Sequence, residues 1–271
     1  MPMNLRKLYY ALPASWRFVA RRLWYAPADL WDRLAGKRDP LTPPRGLIYT
    51  GRGDFRRSGR ALVRRCVEWG GLQPHHAVLD VGSGIGRAAV ALTEYLDARG
   101  RYEGFDPVAT GVRWCQRHIS SRHPNFRFRH VPLANDLYTQ AGEDARRFRF
   151  PYPAAAFDFA IVNSVFTHML PDEIAHYLEE LARVLRPGGR AYATFFLFEK
   201  NGPCGMPGFA FPHDYGHYRL MDRRVRAANV AVAHAWLQEV LERHHFDLIH
   251  HFAGTWNGGA GPDFQDVLIL E

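Results

Sequence analysis

The sequence predicts an α/β protein built on a doubly wound, mostly parallel sheet, and three observations carry that prediction. Val78-Leu-Asp-Val-Gly-Ser-Gly-Ile-Gly86 is a short apolar run ending in three glycines, followed by a helix-like stretch from Arg87. This is the pattern of a buried strand feeding a tight turn into a helix. Strand-like and helix-like segments then alternate along the chain, as βαβ units do. A carboxylate, Asp106, closes the second strand-like segment twenty-six residues after Asp80. In doubly wound sheets, ligands bind where strand ends meet at the reversal of strand order.

The elements follow in order. Asp54 to Gly70 reads as a helix with Phe55, Leu62, Val63, Cys66 and Val67 on its apolar side. Strand one is Ala77–Val81, and its helix runs from Arg87 to Ala98. Strand two is Tyr102–Phe105, with a helix from Thr110 to Ser121, and strand three is Asn125–His130. A charged loop spans Pro132 to Pro153 before strand four, Phe157–Asn163. The helix from Pro171 to Leu185 carries Ile174, Tyr177, Leu178, Leu181 and Val184 at helical spacing, and strand five is Gly189–Leu197. A Gly/Pro-rich aromatic insertion at about 198–232 would cover the cleft at the end of strand five. Long loops in compact domains are often functional. The last helix is Ala233–His244, followed by strands at Asp247–Phe252 and Phe264–Leu270, which makes seven.

The glycine turn itself lets backbone N–H groups and a helix N-terminus approach a ligand with no side chain in the way. An acid at the end of strand two can accept both hydroxyls of a ribose. The spacing is G-x-G-x-G, not the G-x-G-x-x-G of a dinucleotide site, which argues for an adenosyl ligand over NAD.

Four motifs in this order resemble those of the class I S-adenosylmethionine-dependent methyltransferases. They are Val78–Arg87; Asp106; Phe157-Asp-Phe-Ala-Ile-Val-Asn-Ser-Val-Phe-Thr-His-Met-Leu170; and Leu181-Ala-Arg-Val-Leu-Arg-Pro-Gly-Gly-Arg190 with the strand after it. The resemblance covers about residues 60–271. It implies a Rossmann-like sheet closed by an antiparallel strand, with S-adenosyl-L-methionine as cofactor and S-adenosyl-L-homocysteine as product. It also implies that Asp80, Gly82, Ser83, Gly84 and Gly86 form the floor under the methionine part, and that Asp106 holds the ribose. The backbone near Asn163 would close over the sulfonium. The family often has an acid for the adenine amino group after strand three. Here that place holds Pro132, so adenine would be held by main-chain groups of Pro132 and Leu133, or by Asp136 beyond Asn135. Proline has no N–H, which makes Leu133 the donor.

Methyl transfer to a hydroxyl profits from a base, because a hydroxyl's own pKa lies far above neutrality. His168, just after strand four, is the leading candidate for base or substrate contact. A His213–Asp214 pair in the insertion is the alternative, and a structural histidine is the plain reading of either. Ser164, Tyr215, His217 and Trp256 would line an acceptor pocket, with Asn257 beside it. His213 and His217, and the group His244, His245, His250 and His251, complete no familiar metal-ligand set, so no metal is expected.

The chain of 271 residues has a net charge of +8, and the charge is uneven. Residues 1–60 hold 13 Lys and Arg against 4 Asp and Glu, whereas the remainder holds 22 against 23. A neutral body argues against a nucleic-acid groove. The division is therefore an arm and linker over 1–50 and a methyltransferase domain over 51–271. Within residues 5–34 of the arm, Trp16, Phe18, Leu23, Trp24, Tyr25, Leu30 and Trp31 are interleaved with Arg17, Arg21, Arg22 and Arg33. That composition suits an interfacial helix, or a helix packed over the core or cleft, and the two are compatible. No stretch is long and uncharged enough to span a bilayer, and no signal-peptide apolar region is evident. Cys66, Cys115 and Cys204 are an odd set without C-x-x-C spacing, which suits a reducing compartment. The expectation is a cytoplasmic enzyme, peripheral at the inner face of the membrane if the arm meets lipid. Its acceptor would be a small molecule carrying a hydroxyl: a sugar, a glycolipid or another secondary metabolite. The alternatives are a non-catalytic binding or scaffold protein on the same fold, and an RNA or protein methyltransferase. The neutral body and the lack of an Asn/Asp-Pro-Pro-Tyr motif weigh against the last.

Overall fold

The computed structural model describes residues 14–36, 39–51, 53–134, 142–200 and 202–271. Helix α1 (Ala14–Leu34) leads through a short turn at Arg45–Leu47 to α2 (Phe55–Glu68). The carboxylate of Asp54 accepts the Arg57 N–H at 2.6 Å and so caps α2. Next come β1 (Ala77–Val81), α3 (Arg87–Leu92), β2 (Arg101–Asp106), α4 (Ala109–Cys115), β3 (Phe126–His130) and β4 (Phe157–Val162). Helix α5 (Pro171–Val184) starts on a proline, with Glu173 accepting the Leu170 N–H at 2.6 Å. Strand β5 (Leu185–Phe195) follows it.

Seven strands form one sheet in the order β12-β13-β5-β4-β1-β2-β3, where β12 is Leu248–Phe252 and β13 is Asp266–Leu270. Strands β1 to β5 pair in parallel, and β13 runs antiparallel to both β5 and β12. All five residues of β1 are buried, as a parallel strand covered on both faces requires. One core packs α5 residues Ile174, Leu178 and Leu181 against one face of the sheet. The other packs Leu62 and Val63 of α2, Ala89 and Val90 of α3 and Val112 of α4 against the opposite face. Strand order reverses between β1 and β4, and the ends of these two strands frame the site.

Three elements differ from the sequence expectation. Helix α3 stops at Leu92 instead of Ala98, because the Thr93 hydroxyl bonds back to the Val90 carbonyl at 2.7 Å and the chain tightens into turns. Strand β5 begins at Leu185, and its pairing with β4 skips from Leu185 to Arg190 around the Pro-Gly-Gly turn. The Gly/Pro-rich insertion is not an open loop. It contains β6 (Leu197–Phe198), β7 (Gly205–Met206), β8 (Phe209–Ala210), β9 (His213–Asp214), β10 (Tyr218–Leu220) and β11 (Val230–Ala233). Four of these make a second sheet, β6-β11-β10-β9, and β7-β8 make a hairpin. Helix α6 (His234–Arg243) then returns the chain to β12.

Candidate active site

The turn after β1 is built by backbone geometry. Gly82, Gly84 and Gly86 have φ of +73°, +58° and +80°, a region costly for any residue with a Cβ. Sequence reasoning expects the amides of this turn to face a ligand, and the structure corrects that. The N–H groups of Gly82 and Ser83 both donate to the Phe105 carbonyl at 3.0 Å, and Gly86 donates to the Ser83 carbonyl at 3.0 Å. Gly84 donates to Asp106 Oδ2 at 2.8 Å. The glycines therefore tie β1 to the end of β2 and keep the surface of the turn low.

Asp106 is buried at that junction. Its Oδ1 accepts the Val108 N–H at 2.8 Å and the Tyr49 hydroxyl at 3.3 Å, and its Oδ2 accepts Gly84. Burial pushes its carboxyl up to about 6, against the opposing pull of these donors. Asp80 is also buried and accepts the Tyr102 hydroxyl at 2.6 Å. Burial, with Asp106 nearby, pushes it up to about 7. Two buried acids share one corner, and burial raises the carboxyl of each.

The segment before α2 lies across this corner. Besides the Tyr49 contact, Thr50 sits where a Cβ on Gly84 would meet its hydroxyl at 3.3 Å, and the Thr50 carbonyl accepts Arg87 at 2.7 Å. Leu47, Ile48 and Tyr49 pack against the core beside α2 and α3. Residues assigned from sequence to an arm and linker thus reach into the domain.

The end of β4 faces the glycine turn. Asn163 is half-buried there. Ser164 takes the left-handed conformation at φ +59°, its N–H donating to Thr194 Oγ1 at 2.7 Å and its hydroxyl to Gln265 at 2.9 Å. A non-glycine residue in that region, held by two side chains, is a constraint typical of functional sites. Val165 packs over Gly82, closer than a Cβ there would allow.

On the other side, the Val131 N–H donates to the Asp106 carbonyl at 3.2 Å. The Pro132 carbonyl and the Ala134 N–H both bond to Glu143, at 2.7 and 2.9 Å. Strand alternation points the Leu133 N–H to the same side as that of Val131, towards the end of β2. Asp136, the alternative adenine contact, lies outside the described residues.

One observation fits these residues to an adenosyl ligand: the Ser83 hydroxyl is buried at the turn without a hydrogen-bond partner among the described residues. Such an orphan polar atom asks for a partner.

Residues 78–189 match the family profile described as a methyltransferase domain. The stretch from β1 to the Pro-Gly-Gly turn is thus similar to a methyltransferase domain. A protein from Pyrococcus horikoshii OT3 shares its fold at 14% identity and a TM-score of 0.54, over 83% of this chain and 94% of that one. A Burkholderia thailandensis 1,6-didemethyltoxoflavin-N1-methyltransferase, solved with bound 1,6-didemethyltoxoflavin and S-adenosylhomocysteine, aligns at 20% identity and a TM-score of 0.49, over 96% of this chain and 90% of that one. The cyclase SpnF aligns at 21% identity and a TM-score of 0.49 over 74% of this chain, which spans 62% of that protein's length.

S-adenosylmethionine is the cofactor that the resemblance to methyltransferases implies. Asp106 would receive its ribose hydroxyls in place of Tyr49, and the floor from Asp80 to Gly86 would underlie its methionine part. On the acceptor side, His168 ends a short turn after β4, half-buried, with its Nδ1 donating to the Ala227 carbonyl at 2.9 Å. Burial lowers its pKa, and the carbonyls of Ala227 and Ala228 oppose that shift. His213 and Asp214 lie together on β9 but do not pair. Asp214 accepts Arg219 at 3.0 Å and the Gly216 N–H at 2.7 Å, because β9 and β10 set Arg219 opposite it. Tyr215 and His217 are exposed, Tyr215 stacked on Tyr218 at 4.9 Å and His217 on Trp236 at 5.7 Å.

Trp256 is fully buried and lines no cleft. Its indole N–H donates to Asp266 Oδ2 at 2.8 Å, and its ring packs with Phe196 and Phe211. Asp266 also accepts the N–H groups of Leu197 at 2.7 Å and Gly254 at 2.8 Å, so this buried carboxylate pins the insertion to β13. Sequence reasoning missed Tyr49, Thr50, Gln265 and Asp266. Only Asp266, an acid opening the apolar run Val267–Leu270, carried a signal.

Proposed function

We propose that this chain transfers a methyl group to a hydroxyl of a small molecule, such as a sugar, a glycolipid or another secondary metabolite. The observation that carries the reading is His168, fixed at the turn after β4 against the Ala227 carbonyl, where burial lowers its pKa and so favours the neutral imidazole. A neutral imidazole at the edge of a methyltransferase cleft suits proton removal from a hydroxyl. The stacked rings Tyr215–Tyr218 and His217–Trp236 offer flat faces to a cyclic acceptor. S-adenosylmethionine, when bound, supplies a methyl group on a cationic sulfur, leaving S-adenosylhomocysteine once the acceptor oxygen has taken the methyl. The protein's part is to align the oxygen, exclude water and accept the hydroxyl proton.

Incubation with tritiated donor and separate pools of glycans, lipids, phenolic metabolites, RNA and protein tests this reading. Label in hydroxyl-bearing small molecules, reduced in His168→Ala, is the expected result. Label confined to RNA, protein or amines overturns it. Saturable donor binding with no transfer to any pool would favour the non-catalytic alternative.

A further inference from the structure

We propose that α1 is a docking helix for an anionic bilayer surface. Its orientation on the body is fixed from one side. Asp29 accepts the N–H groups of Arg45 at 2.7 Å and Gly46 at 3.0 Å, Asp32 pairs with Arg45 at 3.0 Å, and Phe18 meets the Tyr49 ring edge-on at 5.4 Å. These contacts bind one face of α1 to the turn at Arg45–Leu47 and to the strap over Asp106.

The opposite face is apolar and turned outward. Trp16, Val19, Leu23, Leu30 and Leu34 fall on one helical stripe, with Trp24 and Trp31 along its edge. All seven are exposed, Leu23 at 70% and Trp24 at 81%. A soluble surface rarely presents so many large apolar side chains in one patch. Arg22 and Arg33 flank the stripe on one side, both exposed, and Arg21 lies on the other, its guanidinium over the Tyr25 ring at 5.1 Å.

Charge complementarity selects the occupant. The excess of Lys and Arg over Asp and Glu belongs to residues 1–60, while the rest of the chain is close to neutral. An apolar stripe bordered by arginine and rich in tryptophan matches a bilayer interface, where indoles sit at headgroup level and arginines meet anionic lipid. A second copy of the chain would bring like charges together. No described helix is long and apolar enough to cross a membrane, so the geometry points to α1 lying in the interface plane.

The test uses the full chain with vesicles of phosphatidylcholine alone and of phosphatidylcholine with phosphatidylglycerol. Co-sedimentation with the anionic vesicles, a blue shift of tryptophan emission and weakening by salt are expected. Trp24→Glu and Leu23→Glu, at exposed positions, should each lower the vesicle partition coefficient by about tenfold or more while S-adenosylhomocysteine binding persists. Absence of binding to anionic vesicles, or binding that neither variant weakens, overturns the proposal. So does a concentration-dependent dimer that Trp24→Glu dissolves and vesicles leave intact, since the stripe would then cover a second copy.

Discussion

The two regions proposed to hold donor and acceptor are made by different means. The proposed donor half, at the ends of β1 and β2, is made of backbone and two buried acids. Three left-handed glycines let β1 fold against the Phe105 carbonyl, and Asp106 gathers Gly84, Val108 and Tyr49. The insertion proposed to cover the acceptor rests on packed side chains. Phe196, Phe198, Phe211 and Trp256 form a separate apolar cluster under the insertion, and one carboxylate, Asp266, ties it to the main sheet. A backbone device holds one ligand chemistry, whereas an aromatic cap can be reshaped without touching it. In the proposed reading, acceptor choice and donor binding are therefore separable.

The strongest way to break that comparison is Trp256→Ala. It removes a fully buried indole and the hydrogen bond to Asp266. It should cost about 3–5 kcal/mol of stability, read from denaturant midpoints. Affinity for S-adenosylhomocysteine, by calorimetry under conditions where the variant stays folded, should remain within about twofold of the parent. A large loss of donor affinity would mean that the halves are one unit.

A second test sharpens the donor half through pH. Asp106 is held up to about 6 by burial, so it gains its proton as pH falls through that value. Ribose hydroxyls donate to the ionised form, so donor binding lowers this pKa and releases a proton. Affinity should be flat above about pH 7 and fall by up to about tenfold per pH unit below about 6. Calorimetry in buffers of different ionisation enthalpy reads the released proton directly. Affinity independent of pH across this range would show that Asp106 does not change partners.

The smallest effect concerns the strap. If ribose hydroxyls replace the Tyr49 hydroxyl on Asp106, Tyr49→Phe removes a competitor. Donor affinity should then rise by about two- to tenfold, the worth of one long hydrogen bond. Weaker binding would instead make Tyr49 a positioning residue for the carboxylate.

The halves also differ in how much of them the sequence discloses. The glycine turn and Asp106 are legible because each is a local device. A strand, a turn and a strand-end acid fall within one βαβ stretch, and their chemistry is set by residue type and spacing. The alternation discloses the strands themselves, whereas the antiparallel closing strand is what the family resemblance implies, and the strand order is seen only in the structure. The direction of the turn's amides is not legible, since it depends on where the Phe105 carbonyl lies. Tyr49 is 57 residues from Asp106 in the chain, and a lone tyrosine in a proline-marked linker shows no pattern. The second sheet is hidden because several of its strands are only two residues long and lie among glycines and prolines. Trp256 sounds like a pocket residue in sequence, yet its N–H has a buried carboxylate to satisfy, and that partner comes from β13.

The central claim is that the corner of Asp106 and the glycine turn holds an adenosyl ligand by its ribose. Titration calorimetry of S-adenosylhomocysteine into the parent and into Asp106→Ala, with circular dichroism confirming that both are folded, tests it most directly. The account predicts one saturable site in the parent and affinity lower by about a hundredfold or more in the variant, the loss of two hydrogen bonds to a charged acceptor. A parent that takes up no ligand, or a folded variant that binds as tightly as the parent, would contradict it.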